Sequence, residues 1–150
     1  MRDPIKIFRG AGWLVSTDKD RLDRVAIYGF LSTSYWRAHA SFATVSRSID
    51  TSICFGLYHG PDERFAGFCR LITDEATFAY LCDVFVLPDY RGQGLSKHLM
   101  ASAMAHPALQ EVTRIALHTR DAHGLYEGFG FEVTKVPERI MEISRLPPNS

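Results

Sequence analysis

The sequence predicts a mixed α/β (α+β) fold in one domain, residues 1–150, with a sheet covered by helices on both faces. Three observations carry this. The first is order: strand, helix, helix, a run of strands, helix, strand, helix, strand. The second is a hairpin signal, in which "SICFGLYHG" and "RFAGFCRLITD" are joined by the turn His59-Gly60-Pro61-Asp62. The third is "TFAYLCDVFVLP", which is apolar on both faces and therefore reads as a central strand ended by Pro88.

The elements follow in order. "KIFRGAGWLV" reads as a first strand broken by Gly10 and Gly12. In "DKDRLDRVAIYGFLS", Leu22, Val25, Ala26, Gly29 and Phe30 recur at helical spacing behind Thr17 or Asp18 as cap. "STSYWRAHA" is a loop with two aromatics, and "SFATVSRSIDTS" a weaker helix. After the hairpin and the central strand, "GLSKHLMASAMAH" puts Leu95, Leu99, Met100, Ala103 and Met104 on one helical face. "TRIALHT" is a strand, "DAHGLYEGF" a short helix capped by Asp121, and "FEVTKVPERIMEISRL" one or two closing strands.

Composition narrows the function. Seventeen basic and 17 acidic residues cancel, so no large positive field favours nucleic acid. An apolar fraction of 46% and a charged fraction of 23% are those of a globular domain. Cys54, Cys69 and Cys82 form no CxxC pair and sit in apolar runs, as buried thiols do in a reducing compartment. The first residues hold no apolar segment of signal-peptide length, and no stretch could span a bilayer. The expectation is a cytoplasmic protein with no nucleic-acid or membrane partner. His118 and His123 lack a third ligand of suitable spacing, so no metal is expected.

The chemistry concentrates in "VFVLPDYRGQGLSKHLM", residues 84–100. A strand that runs through glycines into a helix aims backbone N–H groups and the helix dipole at one point, which suits phosphate. A P-loop needs four residues between its glycines and then Gly-Lys-Ser/Thr. A dinucleotide turn needs a third glycine, where Lys97 stands. Neither fits, and a glycine-rich turn without a ligand is the plain alternative.

Arg91-Gly92-Gln93-Gly94-Leu95-Ser96, after Val84-Phe85-Val86-Leu87-Pro88, resembles the pyrophosphate loop of the GNAT superfamily of acyl-CoA-dependent N-acetyltransferases. Ser96 replaces that motif's final Gly or Ala. Ala122-His123-Gly124-Leu125-Tyr126-Glu127-Gly128-Phe129-Gly130-Phe131 resembles the same family's Ala-x-x-Leu-Tyr-x-x-x-Gly-Phe segment. The resemblance is specific over residues 78–131 and architectural before them. It implies a mostly antiparallel central sheet of six to seven strands flanked by about four helices. It also implies acetyl-CoA as acyl donor, with no metal.

By position, the resemblance assigns the pantetheine arm to the backbone of Val84, Phe85 and Val86. It assigns the pyrophosphate to the N–H groups of Gly92 through Lys97, beside Arg91. Tyr126 takes the place of the family's general acid, with core packing as its alternative role. A phenol with an ordinary pKa near ~10 can protonate a departing thiolate. Thr119 stands where the family often has a cofactor-binding Asn. Asp83, a carboxylate in an apolar strand, must find partners, water or a proton. It is a candidate base or a structural carboxylate bound by a loop or an arginine.

The acceptor end draws on Tyr35 and Trp36, as an aromatic wall or as core, and on Arg37, Arg70 and Asp74 as charged readers or surface groups. The implied reaction moves an acetyl group to a primary amine of a small or amino-acid-like metabolite, by direct attack in a ternary complex. A non-catalytic acyl-CoA sensor and a peptide or protein N-acetyltransferase are the alternatives. A homodimer is possible, with the final strands as its place.

Overall fold

The computed structural model describes residues 4–148. Six strands form one sheet in sequence order: β1 (Ile7–Gly10), β2 (Trp13–Ser16), β3 (Ile53–His59), β4 (Arg64–Thr73), β5 (Phe78–Val86) and β6 (Arg114–Leu117). Neighbours are antiparallel except β5 and β6, which run parallel. The helices are α1 (Arg24–Leu31), α2 (Phe42–Asp50), α3 (Leu95–Met104) and α4 (His123–Glu127). A parallel pair needs a crossover, and α3 supplies it. The mixed, mostly antiparallel sheet and its four helices are those predicted.

Two cores lie on opposite faces of the sheet. On one, Leu95, Leu99, Met100 and Ala103 of α3 pack on Val15, Phe55, Leu57, Cys69, Leu71 and Leu81. The helical spacing read from the sequence selects these residues, and Met104 packs at their margin. Complete burial of Leu99 and Met100 stabilises the fold by roughly 2–3 kcal/mol each. On the other face, Ile27 and Leu31 of α1 and Val45 and Ile49 of α2 cover Cys54, Phe68 and Phe85.

Several expectations need correction. Residues 6–15 are not one broken strand but a hairpin, in which Gly10 pairs with Trp13. Gly12, at φ 77°, takes the left-handed turn that a two-residue connection requires. The first helix starts later than predicted. Asp18 caps a 3-10 turn over Lys19–Arg21, and α1 begins behind Asp23, whose carboxylate accepts the Ala26 N–H. Its buried face is therefore Ile27 and Leu31, while Val25 is 73% exposed.

The closing strands do not form. Among the described residues after Phe131 the one regular element is a 3-10 turn at Pro137–Arg139. Pro137 has no N–H to give a ladder. Val133, Ile140, Met141, Ile143 and Leu146 are left exposed.

Candidate active site

The site starts from an irregularity in β5. Phe85 pairs with Phe68 and Cys82 with Arg70, so Asp83 and Val84 together face Cys69 alone. This is a β-bulge, and Asp83 sits in it at φ 54°, a left-handed conformation that Asp tolerates. The extra residue shifts the alternation of faces. Ala79 and Leu81 pack on the α3 side, then Val84 and Val86 do. Phe85 turns to the α1–α2 side.

β6 pairs with β5 only from Phe78 to Leu81. Beyond that, the β5 edge has no strand partner. The Leu87 N–H donates to the Ala66 carbonyl at 2.8 Å. Alternation then sends the N–H and C=O groups of Val86 and Val84 to the open edge. Arg91 Nε donates to the Val86 carbonyl at 3.0 Å, which ties the glycine loop to that edge.

In the loop, Gly92 has φ 81° and Gly94 has φ 73°, and Gly94 is the N-cap of α3. A Cβ at either glycine would meet nothing within 4 Å. The glycines therefore serve the backbone turn and leave room in front of it. Among the described residues, the N–H groups of Gly92, Gln93, Gly94, Leu95 and Ser96 have no protein acceptor. Consecutive open N–H groups at a helix start form an anion cradle, and Arg91 stands beside them. The donor set and the open space fit a pyrophosphate.

These groups share one cleft of about 280 Å³. Val84, Phe85, Val86, Arg91, Gly92, Gly94, Leu95, Ser96 and Tyr126 line it, with Tyr90, Ala122 and Leu125. Tyr90, Ala122 and Leu125 belong to the quoted motifs, but sequence reasoning gave them no role. Gln93 turns aside, its Nε2 donating to the Tyr90 carbonyl at 3.3 Å. Lys97 is exposed in the first turn of α3.

Tyr126 reaches the cleft from α4. Burial pushes its phenol up to about 12, with Cys69, Tyr35 and Asp121 adding to the rise. Thr119 Oγ1 accepts the Ala122 N–H at 3.0 Å and so anchors the start of α4. Asp121 does not cap that helix as expected. Its carboxylate lies 3.4 Å from Arg120 Nη2 instead.

Asp83 lies on the α1–α2 face, outside the cleft lining. Arg70 Nε donates to its Oδ2 at 2.7 Å, while Arg37 Nε and Trp36 Nε1 donate to its Oδ1 at 3.1 and 3.0 Å. Asp83 is 4% exposed and Arg70 5%. Ser52 Oγ accepts from Arg70 Nη1 at 3.0 Å. The sequence named Asp83, Arg70, Arg37 and Trp36 separately; Ser52 carried no signal at all. Tyr35 sits beside them, its hydroxyl accepting the Arg120 N–H at 3.1 Å.

Asp74 belongs to a turn. Hydrogen bonds from the Thr77 hydroxyl and the N–H groups of Thr77, Ala76 and Phe78 hold its carboxyl well below the usual range. The three cysteines are free and buried. Burial raises the Cys54 thiol to about 12 and that of Cys82 to about 11, so neither is a ready nucleophile. Among the described residues no group of three His, Cys, Asp or Glu could hold a metal, and no helix is long and apolar enough to cross a membrane.

A larger hollow, of about 570 Å³, lies among residues 17–20, 50–54 and His106. Within it Arg24 Nη2 pairs with the Asp50 carboxylate at 2.7 Å, and Lys19 Nζ donates to the Asp50 carbonyl at 3.1 Å. Neither sequence motif reaches it, so size alone does not mark the site.

Known proteins resemble this chain over most of its length. The family described as "Acetyltransferase (GNAT) domain" matches residues 50–133, more than half of the chain. A Gibberella zeae protein named as a candidate acetyltransferase is 32% identical over 135 residues, covering 76% of this chain and 75% of that one. A crystal structure of a candidate GNAT-family acetyltransferase from Xanthomonas campestris pv. campestris is 48% identical. It superposes with a TM-score of 0.84 over 91% of this chain and 94% of that one. A Clostridium acetobutylicum acetyltransferase structure, described with acetyl-CoA, shares the fold at 13% identity and a TM-score of 0.63, over 88% of this chain and 94% of that one. With the cradle, the unpaired β5 edge and Tyr126 in one cleft, the chain belongs to the GNAT family of acetyltransferases.

Proposed function

We propose that this chain, as one catalytic domain, transfers an acetyl group from acetyl-CoA to a primary amine of a small or amino-acid-like acceptor, by direct attack in a ternary complex. The observation that carries the reading is convergence. Open N–H groups from Gly92 to Ser96, the unpaired edge at Val84 and Val86, and the Tyr126 phenol all meet in one cleft.

Acetyl-CoA supplies a thioester already reactive toward a neutral amine. The loop N–H groups and Arg91 hold the pyrophosphate, and Lys97 adds charge near it. Val84 and Val86 hold the pantetheine amides as a neighbouring strand would. Phe85 fixes this edge by packing its ring on Phe30, centroids 4.2 Å apart. The Gln93 backbone N–H joins the cradle. Thr119 holds α4, and with it Tyr126, in place. A β5 N–H at the open edge stabilises the oxyanion as the amine nitrogen bonds to the carbonyl carbon. The C–S bond then breaks, and Tyr126 donates its proton to the sulfur.

Asp83 is the positioning carboxylate in this reading, because three N–H donors already occupy both its oxygens. The amine proton leaves to water. Most of the rate enhancement comes from orientation and backbone dipoles.

A thiol-release assay over a panel of amines tests the reading. Tyr126→Phe is expected to lower turnover by about 10²- to 10⁴-fold and to change acetyl-CoA affinity little. Equal turnover of the two proteins at saturating amine would remove Tyr126 from the mechanism.

Two further features belong to the proposal. Three free buried thiols favour a reducing, cytoplasmic setting. The exposed apolar residues of 133–146 favour a homodimer through the final segment.

A further inference from the structure

The loop between α1 and α2 touches two strands at once. Trp36 and Arg37 donate to Asp83 on β5. Tyr35 accepts the Arg120 N–H just past β6, and the Arg120 guanidinium lies 3.8 Å from the centre of the Tyr35 ring. The loop therefore spans the region where β5 and β6 cease to pair. Tyr35 is near enough to Tyr126 to contribute to the rise of its pKa.

The charges under the loop do not cancel. Asp83 is one carboxylate between two guanidinium groups. Arg70 is buried and spends its donors on Asp83 and Ser52. Arg37 spends only Nε there, and its side chain is 28% exposed. Among the described residues, neither Nη of Arg37 donates to a protein acceptor. Arg120, in contrast, has Asp121 within 3.4 Å.

Arg37 thus presents a two-nitrogen fork whose inner edge is fixed by Asp83. Such a fork matches the two oxygens of a carboxylate. We propose that the acceptor amine carries a carboxylate and that the outer edge of Arg37 binds it, making Arg37 the residue that selects the substrate class. A single uncompensated positive charge matches one carboxylate better than a phosphate monoester, which brings close to two negative charges. This rests on the acetyl-transfer reading above.

The test compares kcat/KM for common amino acids with that for their methyl esters, their decarboxylated amines and phosphoethanolamine. Wild-type protein is expected to favour the free carboxylate by about 10- to 100-fold, the worth of a hydrogen bond to a charged group. Arg37→Gln should collapse that ratio. Arg37→Lys, which keeps the charge and loses the fork, should fall between. Acetyl-CoA binding and melting temperature check that each variant is folded.

A wild-type preference for esters, decarboxylated amines or phosphoethanolamine overturns the assignment, as does a ratio unchanged by Arg37→Gln. Should no amine release thiol, the transfer reading fails. The carboxylate site is then decided by calorimetric binding of N-acetylated amino acids to the CoA-saturated protein. Binding that Arg37→Gln abolishes supports the site; no binding, or binding indifferent to the variant, overturns it.

Discussion

Replacing Asp83 by Asn separates the two roles open to that residue. The shape is kept, and Asn tolerates the φ of 54° as Asp does, so the backbone adds little strain. What changes is charge. Arg70, 5% exposed, and the Nε of Arg37 lose the carboxylate they share. The new amide must also turn its NH2 group toward Arg70 Nε or toward both Arg37 Nε and Trp36 Nε1. Removing one partner of a buried ion pair costs about 3–5 kcal/mol. At 150 residues each kcal/mol moves the melting temperature by about 2–4 °C. The expected fall is therefore on the order of 6–20 °C, read by circular dichroism together with urea midpoints. Arg70→Met alone empties Oδ2 of its donor while Arg37 and Trp36 still hold Oδ1, so it should cost less than Asp83→Asn. The double variant should recover much of the loss of Asp83→Asn, because the buried guanidinium and its carboxylate vanish together and Arg37 keeps its access to solvent. A catalytic base predicts a different pattern. If Asp83→Asn melted within about 2 °C of wild type while turnover collapsed, Asp83 would be a proton acceptor and the positioning role would be wrong.

Three other outcomes are expected. Tyr126 has a raised pKa, about 12, so its acid form persists as pH rises. Between pH 6 and 10 kcat/KM should climb as the amine loses its proton, with no basic limb due to Tyr126; a basic limb below pH 10 that disappears in Tyr126→Phe would contradict this. Gly94→Val forces a β-branched residue to φ 73°. It should cost about 1–3 kcal/mol, measured by urea unfolding. It should also weaken acetyl-CoA binding at least ~10-fold in calorimetry, about one hydrogen bond to a charged group; unchanged affinity would remove the loop from the cofactor site. Met141 and Ile143, 93% and 87% exposed, should bury in a homodimer. Replacing both with Asp should shift the sedimentation mass from dimer to monomer, and a monomeric wild type would rule that interface out.

Local periodicity and motif spacing are legible in the sequence alone. The period of Leu95, Leu99, Met100 and Ala103 placed α3 and its buried face, because helical geometry leaves no other arrangement for that spacing. Two glycines before that helix, with the Ala-x-x-Leu-Tyr segment beyond, marked the loop and Tyr126. The tertiary structure decided whatever depends on a partner far along the chain. Whether residues 6–15 were a broken strand or a hairpin turned on Gly10 meeting Trp13. The closing segment reads as strand in the sequence, yet a strand exists only where a neighbour accepts its hydrogen bonds, and none does among the described residues. The β5 bulge has no signature in "YLCDVFV", since it arises from a register set by β4. It brings Asp83 to Arg70, Arg37 and Trp36. Residues separated by up to 47 positions became one charge network through that single extra residue.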